Sequence, residues 1–342
     1  MHKDESGDLL APVFFKHCFE DVGVTSQQVS GSEKAQHSTF STRLDTLMHK
    51  LRAKPRQQKG ESVHPLTIMS RILKDEKLSG VKEEGIYDIY PNVTKKFSES
   101  LRDYAGQWTM NMKLGALVQN RKEIEDKIEE LAWAYTVMYG VSGWKNYHSF
   151  HADFFLYVWL PTMRASLLKK ILYFFLRAHV VSSAMFLPSI LSKLDVPSQS
   201  LLLRAHFAAA LTWWVGRGRP DFDVNGFMNA FAKESPSTVV QDPTNPFLDI
   251  VQSAIANDES HVSEFQRTMK HWARLYGLKG SNDPRLSASE FRDADKLDGT
   301  LFISVAELTR ERTEKAKESL VKGDVMGLVF QTWDRSGLYE RV

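Results

Sequence analysis

Histidine is the residue type in this sequence with the widest chemical scope. Six of the eleven histidines lie in segments with helical, apolar patterns: His148, His151, His179, His206, His261 and His271. Neutral imidazole suits iron, copper and zinc, and helices that project histidines into a bundle core are a recurrent way to build a metal site. Metal chemistry is therefore the first hypothesis that these residues support.

His206 has the most apolar surroundings of the six, because its neighbours within residues 205–209 are alanine and phenylalanine. A buried imidazole needs a partner for each ring nitrogen, either a hydrogen-bonding neighbour or a metal. The sequence leaves both alternatives open. Trp213 and Trp214 follow in the same segment and would either form a flat wall for a polycyclic ligand or belong to the core.

Three further histidines have equally open interpretations. His148 and His151 are spaced i,i+3 with Asp153 close by, so they would either chelate an ion through one helical face or be polar residues near a helix start. His261 stands at the start of a helical pattern, where it would act as a ligand or form a local hydrogen bond.

Helical periodicity dominates the segments that must position these residues. One stripe ends at Gly140 and a second ends at Gly277, each with apolar residues three or four apart. Residues 201–215 are apolar on most sides, which predicts a central helix, and residues 279–299 are expected to be a loop. Alternating strand patterns are missing, so we predict an all-α fold with one large multi-helix domain. The stripes consist of Ile124, Ile128, Leu131, Tyr135 and Met138, and of Val262, Phe265, Met269, Trp272 and Tyr276.

Composition divides the chain into two expected regions. Residues 1–60 are polar and predict a loosely ordered leader, whereas residues 61–342 predict the helical domain. The most apolar region, residues 154–191, contains four basic residues and two prolines, so no transmembrane helix is expected.

The balance of charges and the cysteine content point to a small-molecule partner in a reducing compartment. The net charge of +2 creates no broad field for nucleic acid or an anionic membrane. Cys18 is the single cysteine, so neither an intramolecular disulfide nor a cysteine-based zinc site can form. The N-terminus lacks the pattern of a secretory signal, and we expect a cytoplasmic protein.

Signatures of several common enzyme classes are missing. The sequence has no G-x-G-x-x-G, G-x-x-x-x-G-K-[ST] or G-x-S-x-G motif. The usual signatures of a Rossmann site, a P-loop and an α/β-hydrolase are therefore missing. A D-D-x-x-D cluster for magnesium is also missing.

A split phrase carries a resemblance to a known family. The sequences DFFLY (residues 153–157) and HVVSS (residues 179–183) flank residues 158–178, and when joined they resemble a motif of the questin oxidase-like family. Further segments resemble that family in the same order along the chain: residues 103–108, 127–131, 202–206, 217–220 and 258–262.

The resemblance implies a specific chemistry. It implies oxygenation of an anthraquinone or related aromatic polyketide in secondary metabolism, formally a Baeyer-Villiger insertion or a ring cleavage, with O₂ as co-substrate. NADPH as electron donor and non-haem iron are implied as cofactors. The implied site residues are Asp153 and His179 as catalytic groups, and His179, His261 and His206 as metal ligands, with His206 standing where some relatives have lysine.

Two departures from the family pattern limit this expectation. The N-terminal histidine cluster of the family has no counterpart here, and His64-Pro65 matches only the start of a second family phrase. Residues 158–178 would be either a translated intron or a genuine helical excursion, since their apolar residues also repeat with helical spacing. A non-catalytic helical relative that binds an aromatic ligand, or acts as an accessory protein, is therefore the alternative function.

Overall fold

The computed structural model describes residues 62–79, 89–112, 116–142, 144, 180–216, 218–234, 245–257, 260–281 and 283–321. All of these residues belong to a compact unit that comprises residues 60–158 and 177–342. The predicted leader, residues 1–60, and the segment 158–178 lie outside the described residues. Their assignment as leader and insert stays a prediction.

Eleven α-helices make up nearly all of the regular structure in this part of the chain, which confirms the all-α prediction. The one β-bridge among the described residues joins Ser142 and Phe222. In chain order the helices are α1 (Pro65–Lys74), α2 (Ile89–Gly106), α3 (Leu117–Thr136), α4 (Val180–Ala184), α5 (Leu187–Leu191), α6 (Val196–Gly216), α7 (Val224–Glu234), α8 (Leu248–Ile255), α9 (Ser260–Tyr276), α10 (Pro284–Ser287) and α11 (Thr300–Val321).

Two helix pairs form the largest contacts of the fold. α2 packs along α6, and α9 packs along α11. The Trp108 and Phe207 rings meet edge-on with centroids 5.3 Å apart, and both side chains are fully buried. Aromatic pairs of this geometry stabilise a fold by more than the apolar area they bury. This contact therefore fixes the segment after α2 against the middle of α6.

Helix α3 follows its predicted stripe but does not end at Gly140. After Thr136 it widens into a single π-helical turn, Val137–Val141, which includes Gly140. A Cβ atom on Gly140 would lie 2.3 Å from Cγ2 of Val305 on α11. The glycine therefore permits a close helix contact, one residue before the helical segment ends at Val141.

The segment 279–299 contains more structure than its loop-like sequence predicts. It includes α10 and a 3₁₀ turn, Ala294–Lys296. Asp283 accepts a hydrogen bond from the backbone N–H of Arg285, and Pro284 occupies the first turn, so α10 has the features of a well-capped helix start. The segment matters because it carries charged side chains to α3.

No described helix has both the length and the apolar character that crossing a membrane requires.

Candidate functional site

One polar cluster centres on His206 and joins three helices. The Tyr135 hydroxyl oxygen of α3 lies 2.8 Å from Nδ1 of His206 on α6. Oγ of Ser183 on α4 lies 2.9 Å from Nε2, and the Ser183 hydroxyl is 3.4 Å from the carbonyl oxygen of Val180. Both ring nitrogens of His206 thus have hydrogen-bond partners, which is one of the two outcomes that the sequence left open.

The pairing of donors and acceptors assigns the tautomer of His206. A neutral imidazole has one nitrogen that donates and one that accepts. If Nδ1 accepts from Tyr135, then Nε2–H donates to Ser183 and the Ser183 hydroxyl donates to Val180. The reverse tautomer would turn the Tyr135 hydroxyl hydrogen away from the one partner that the described residues give it. The hydrogen-bond geometry therefore favours the Nε2–H tautomer.

Desolvation keeps this cluster uncharged at neutral pH. Burial lowers the pKa of His206 from 6.5 to about 4. Burial likewise raises the pKa of the Tyr135 hydroxyl well above its ordinary value of 10.0. Removal from water disfavours the charged form of each group, so the imidazole is neutral and the phenol stays protonated.

Helix α4 connects the elements that carry the predicted site. It begins at Val180, within the second half of the split phrase, and it contacts α3, α6 and α9. Just beyond its end, Sδ of Met185 accepts from Oγ1 of Thr268 on α9 at 3.8 Å. The helices that carry Tyr135, His206 and His261 are therefore neighbours through α4.

The described residues do not by themselves fit an iron centre. They contain no group of three or more His, Cys, Asp or Glu side chains placed to hold a metal ion. Of the three implied ligands, only His206 has a described side chain, and hydroxyl groups face both of its nitrogens. His261 lies in the first turn of α9, but its side chain is outside the described set. Asp153, His179, His148 and His151 lie outside the described residues altogether, and their roles stay predictions.

Trp213 and Trp214 lie in the core of the described fold. Their exposed fractions are 4% and 2%. The Trp214 indole N–H donates to Oγ of Ser142 at 3.3 Å, and its ring packs on Phe222 with centroids 5.2 Å apart. Core packing accounts for Trp214, while the prediction that the two indoles wall a substrate pocket stays a prediction.

Sequence reasoning missed a second polar site, a cleft beside α3. This narrow cleft, with a volume of about 10 Å³, lies between α3, the start of α1 and α10. The side chains that line it are His64, Glu129, Glu130, Trp133, Asp283, Arg285 and Leu286. Lys127 and Glu129 are not part of the apolar stripe of α3, yet both are buried. A charge run gives no signal of burial when the covering residues lie far away in the sequence.

Lys127 and Glu130 form the most enclosed ion pair of this cleft. Nζ of Lys127 lies 3.0 Å from both carboxylate oxygens of Glu130 and 2.9 Å from Oγ of Ser62. The Trp108 indole N–H donates to Glu130 at 2.6 Å. Desolvation nevertheless raises the pKa of Glu130, against the opposing effects of Lys127 and Trp108. Burial thus disfavours the charged form of Glu130, and Lys127 is the main group that offsets this effect.

Glu129 ties α3 to the segment around α10. It accepts hydrogen bonds from Lys279 and, at 2.7 Å, from Nη2 of Arg285. The Trp133 indole N–H is a longer donor at 3.4 Å. Arg285 also pairs with Asp283. These charged groups are therefore paired with one another. We call Glu129, Lys279, Asp283 and Arg285 the clamp, because they hold α3 against the segment around α10.

His64 sits at the edge of the clamp and caps α1. Its Nδ1 accepts from the backbone N–H of Leu66 at 3.2 Å, and Pro65 follows at the first helical position. Burial, followed by the charges of Lys127 and Arg285, lowers the pKa of His64 from 6.5 to about 3. A protonated His64 would lose its acceptor for Leu66, so the folded state requires the neutral form.

Replacing His64 by asparagine is expected to make the protein more resistant to acid. Because the folded-state pKa is depressed, the unfolded chain binds the proton first, and wild-type stability falls as pH drops from 6.5 towards 3. Asparagine retains a capping acceptor and does not titrate. At pH 5 the variant should exceed the wild type by about 1–2 kcal/mol in free energy of unfolding by urea denaturation, with a near-neutral effect at pH 7.

His64→Ala serves as the control, because it removes both the titration and the cap. Its free energy of unfolding should be about 1 kcal/mol lower than that of His64→Asn at either pH, because alanine provides no cap. Equal urea midpoints for wild type and His64→Asn across this pH range would contradict the prediction.

Taken together, these features define an all-helical protein with a neutral, hydrogen-bonded histidine at the meeting point of three helices. The profile of the questin oxidase-like family matches residues 22–168 and 159–269. The chain therefore belongs to the questin oxidase-like family and is, at this general level, an oxidoreductase of aromatic polyketide pathways in secondary metabolism. The two matched segments meet within residues 158–178, where the split phrase is interrupted. No curated protein and no solved structure matches the chain.

Proposed function

We propose that the protein catalyses Baeyer-Villiger-type oxygenation or ring cleavage of an anthraquinone-like aromatic polyketide. The observation that carries this proposal is the extent of the family match. It spans every predicted site residue, from Asp153 through His179, His206 and the two tryptophans to His261. The single cysteine, which cannot form an intramolecular disulfide, supports a reducing, cytoplasmic setting.

The proposed reaction requires a reductant. One oxygen atom of O₂ enters between the carbonyl carbon and the migrating carbon, and the other leaves as water with two electrons and two protons. NADPH, which the family resemblance implies, would supply a hydride, and solvent the second proton. The same resemblance implies non-haem iron as a cofactor.

The His206 cluster supports a role in handling substrate or positioning catalytic groups. A neutral imidazole between two hydroxyl groups has a fixed orientation and adds no charge to the apolar surroundings of α6. It also lies on helices that neighbour the one bearing His261. This supports placing the reaction at the junction of α3, α4, α6 and α9.

Oxygen-isotope labelling of the full-length protein tests the proposal. The purified protein is incubated with a panel of hydroxyanthraquinones, NADPH and ¹⁸O₂, with and without added Fe²⁺, and products are analysed by mass spectrometry. The expected result is a product that carries labelled oxygen and depends on both NADPH and O₂. Consumption of neither co-substrate with any quinone of the panel would contradict the proposal.

A non-catalytic relative that binds an aromatic ligand is the second candidate. Its specific support is that both nitrogens of His206 are engaged by hydroxyl groups, while the N-terminal histidine cluster of the family is missing from the sequence. Metal analysis after anaerobic reconstitution separates the two. Stoichiometric iron favours the enzyme, whereas metal-free protein whose tryptophan fluorescence is quenched by an anthraquinone favours the binding protein.

A further inference from the structure

A continuous hydrogen-bond chain runs from α3 to α4. It passes from the Tyr135 hydroxyl to Nδ1 of His206, from Nε2–H to Oγ of Ser183, and from Ser183 to the carbonyl oxygen of Val180. Val180 is the first described residue of α4. His206 thereby connects α3 to the described part of the second half of the split phrase.

We propose that Tyr135 and Ser183 are positioning residues that lock His206 in the Nε2–H tautomer, and that His206 braces α4 at Ser183 instead of ligating a metal. This differs from the ligand role that the family resemblance implies for this position. The proposal is independent of whether the protein is an oxygenase, because it concerns only the tautomer and the partners of His206.

The geometry opposes ligation at either nitrogen. A metal needs the in-plane lone pair of a ring nitrogen at about 2.0–2.1 Å. Hydroxyl oxygens occupy those directions at 2.8 Å and 2.9 Å, so the metal would have to displace one of them. Tyr135 is fully buried, and among the described residues His206 is its one hydrogen-bond partner. Displacing it would leave a buried hydroxyl unsatisfied, which is unfavourable.

Helix α4 has a clear need for such a brace. Its described part, Val180–Ala184, is little more than one helical turn, and a segment of this length relies on tertiary contacts. Val180, Val181 and Ala184 bury apolar side chains, whereas Ser183 supplies the polar link to α6. A neutral histidine fits this role because it donates on one side and accepts on the other without introducing a charge.

Nitrogen NMR of the full-length protein tests the proposal directly. The protein is labelled with ¹⁵N-histidine, and His206→Gln identifies the His206 resonances by their disappearance among the eleven histidines. The expected spectrum shows a protonated Nε2 and an unprotonated, hydrogen-bonded Nδ1, both unchanged by stoichiometric Fe²⁺ added anaerobically. A protonated Nδ1, or loss of the resonances on Fe²⁺ addition, would overturn the proposal.

Two matched tyrosine variants separate positioning from general stability. Tyr135→Phe removes the donor to Nδ1 and should convert His206 to a mixture of tautomers. Tyr139→Phe removes another fully buried hydroxyl one turn further along, 3.3 Å from Oγ1 of Thr309, and should leave the His206 resonances unchanged. Identical His206 spectra in both variants would show that Tyr135 does not set the tautomer. If Tyr135→Phe does not fold, the wild-type spectrum with and without Fe²⁺ still decides the ligation.

Discussion

Replacing Lys127 by methionine is expected to lower the free energy of unfolding by about 3 kcal/mol at pH 7, as measured by urea denaturation. Methionine keeps an apolar side chain of similar length in contact with Trp108 but removes the cation. Glu130, whose side chain is 16% exposed, would then lose its ion-pair partner in the cleft. Its remaining described donor would be the Trp108 indole N–H.

The loss should shrink as pH falls, and the sign follows from Glu130. Desolvation already raises the pKa of Glu130 with Lys127 present, and removal of Lys127 takes away an effect that lowers it. A carboxyl group with a raised folded-state pKa favours the folded state at low pH, and this contribution is lost as pH rises through that pKa. The deficit of Lys127→Met relative to wild type should therefore be smaller at pH 5 than at pH 7.

Two further variants make the test specific for the ion pair. Lys122→Met removes an exposed lysine from the same helix and should change stability by less than about 0.5 kcal/mol. Adding Glu130→Gln to Lys127→Met removes the orphaned charge and should restore most of the lost stability. A deficit that is independent of pH and persists in the double variant would show that lost packing, not the unpaired carboxylate, causes it.

Replacing Gly140 by alanine is expected to lower the free energy of unfolding by about 2–3 kcal/mol because of overpacking. The new Cβ would lie 2.3 Å from Cγ2 and 2.8 Å from Cγ1 of Val305, which is fully buried. Neither atom belongs to a long flexible side chain, so the π-helical turn and α11 would have to separate. Thermal or urea denaturation measures the effect.

Gly106→Ala is the matched control, because a Cβ there meets nothing within 4 Å. It should be neutral or slightly stabilising, since alanine reduces the entropy of the unfolded chain. Combining Gly140→Ala with Val305→Ala should give a smaller loss than the sum of the two single variants, by at least about 1 kcal/mol. Strict additivity would show that the two residues do not contact each other.

Helical periodicity made the fold class predictable. The stripe of α9 from Val262 to Trp272 is buried as its spacing requires, and Tyr276 at its end is partly exposed. The stripe of α3 is buried from Ile128 onwards. Such patterns are local, because residues three and four apart share one face of a helix whatever surrounds it. They state that a face is buried, but not which residues cover it.

The polar sites were predictable only in part for the same reason. The apolar neighbours of His206 indicated that its ring nitrogens need partners, yet Tyr135 and Ser183 lie 71 and 23 residues away in sequence. Glu129 lies on the helix face opposite the apolar stripe of α3, and Lys127 lies at the edge of that stripe. They are buried because Ser62, Lys279 and Arg285 arrive from distant parts of the chain.

The sequence by itself determined the helical class, the family and the one histidine whose surroundings demand two partners. These properties depend on the local spacing of residues and on motifs that can be recognised from their order along the chain. The tertiary structure alone decided that hydroxyl groups, in the described part of the chain, satisfy His206, that Gly140 admits Val305, and that the charges of α3 pair inside a cleft. Each of these outcomes depends on atoms brought within a few ångströms by helix packing, which linear spacing does not encode.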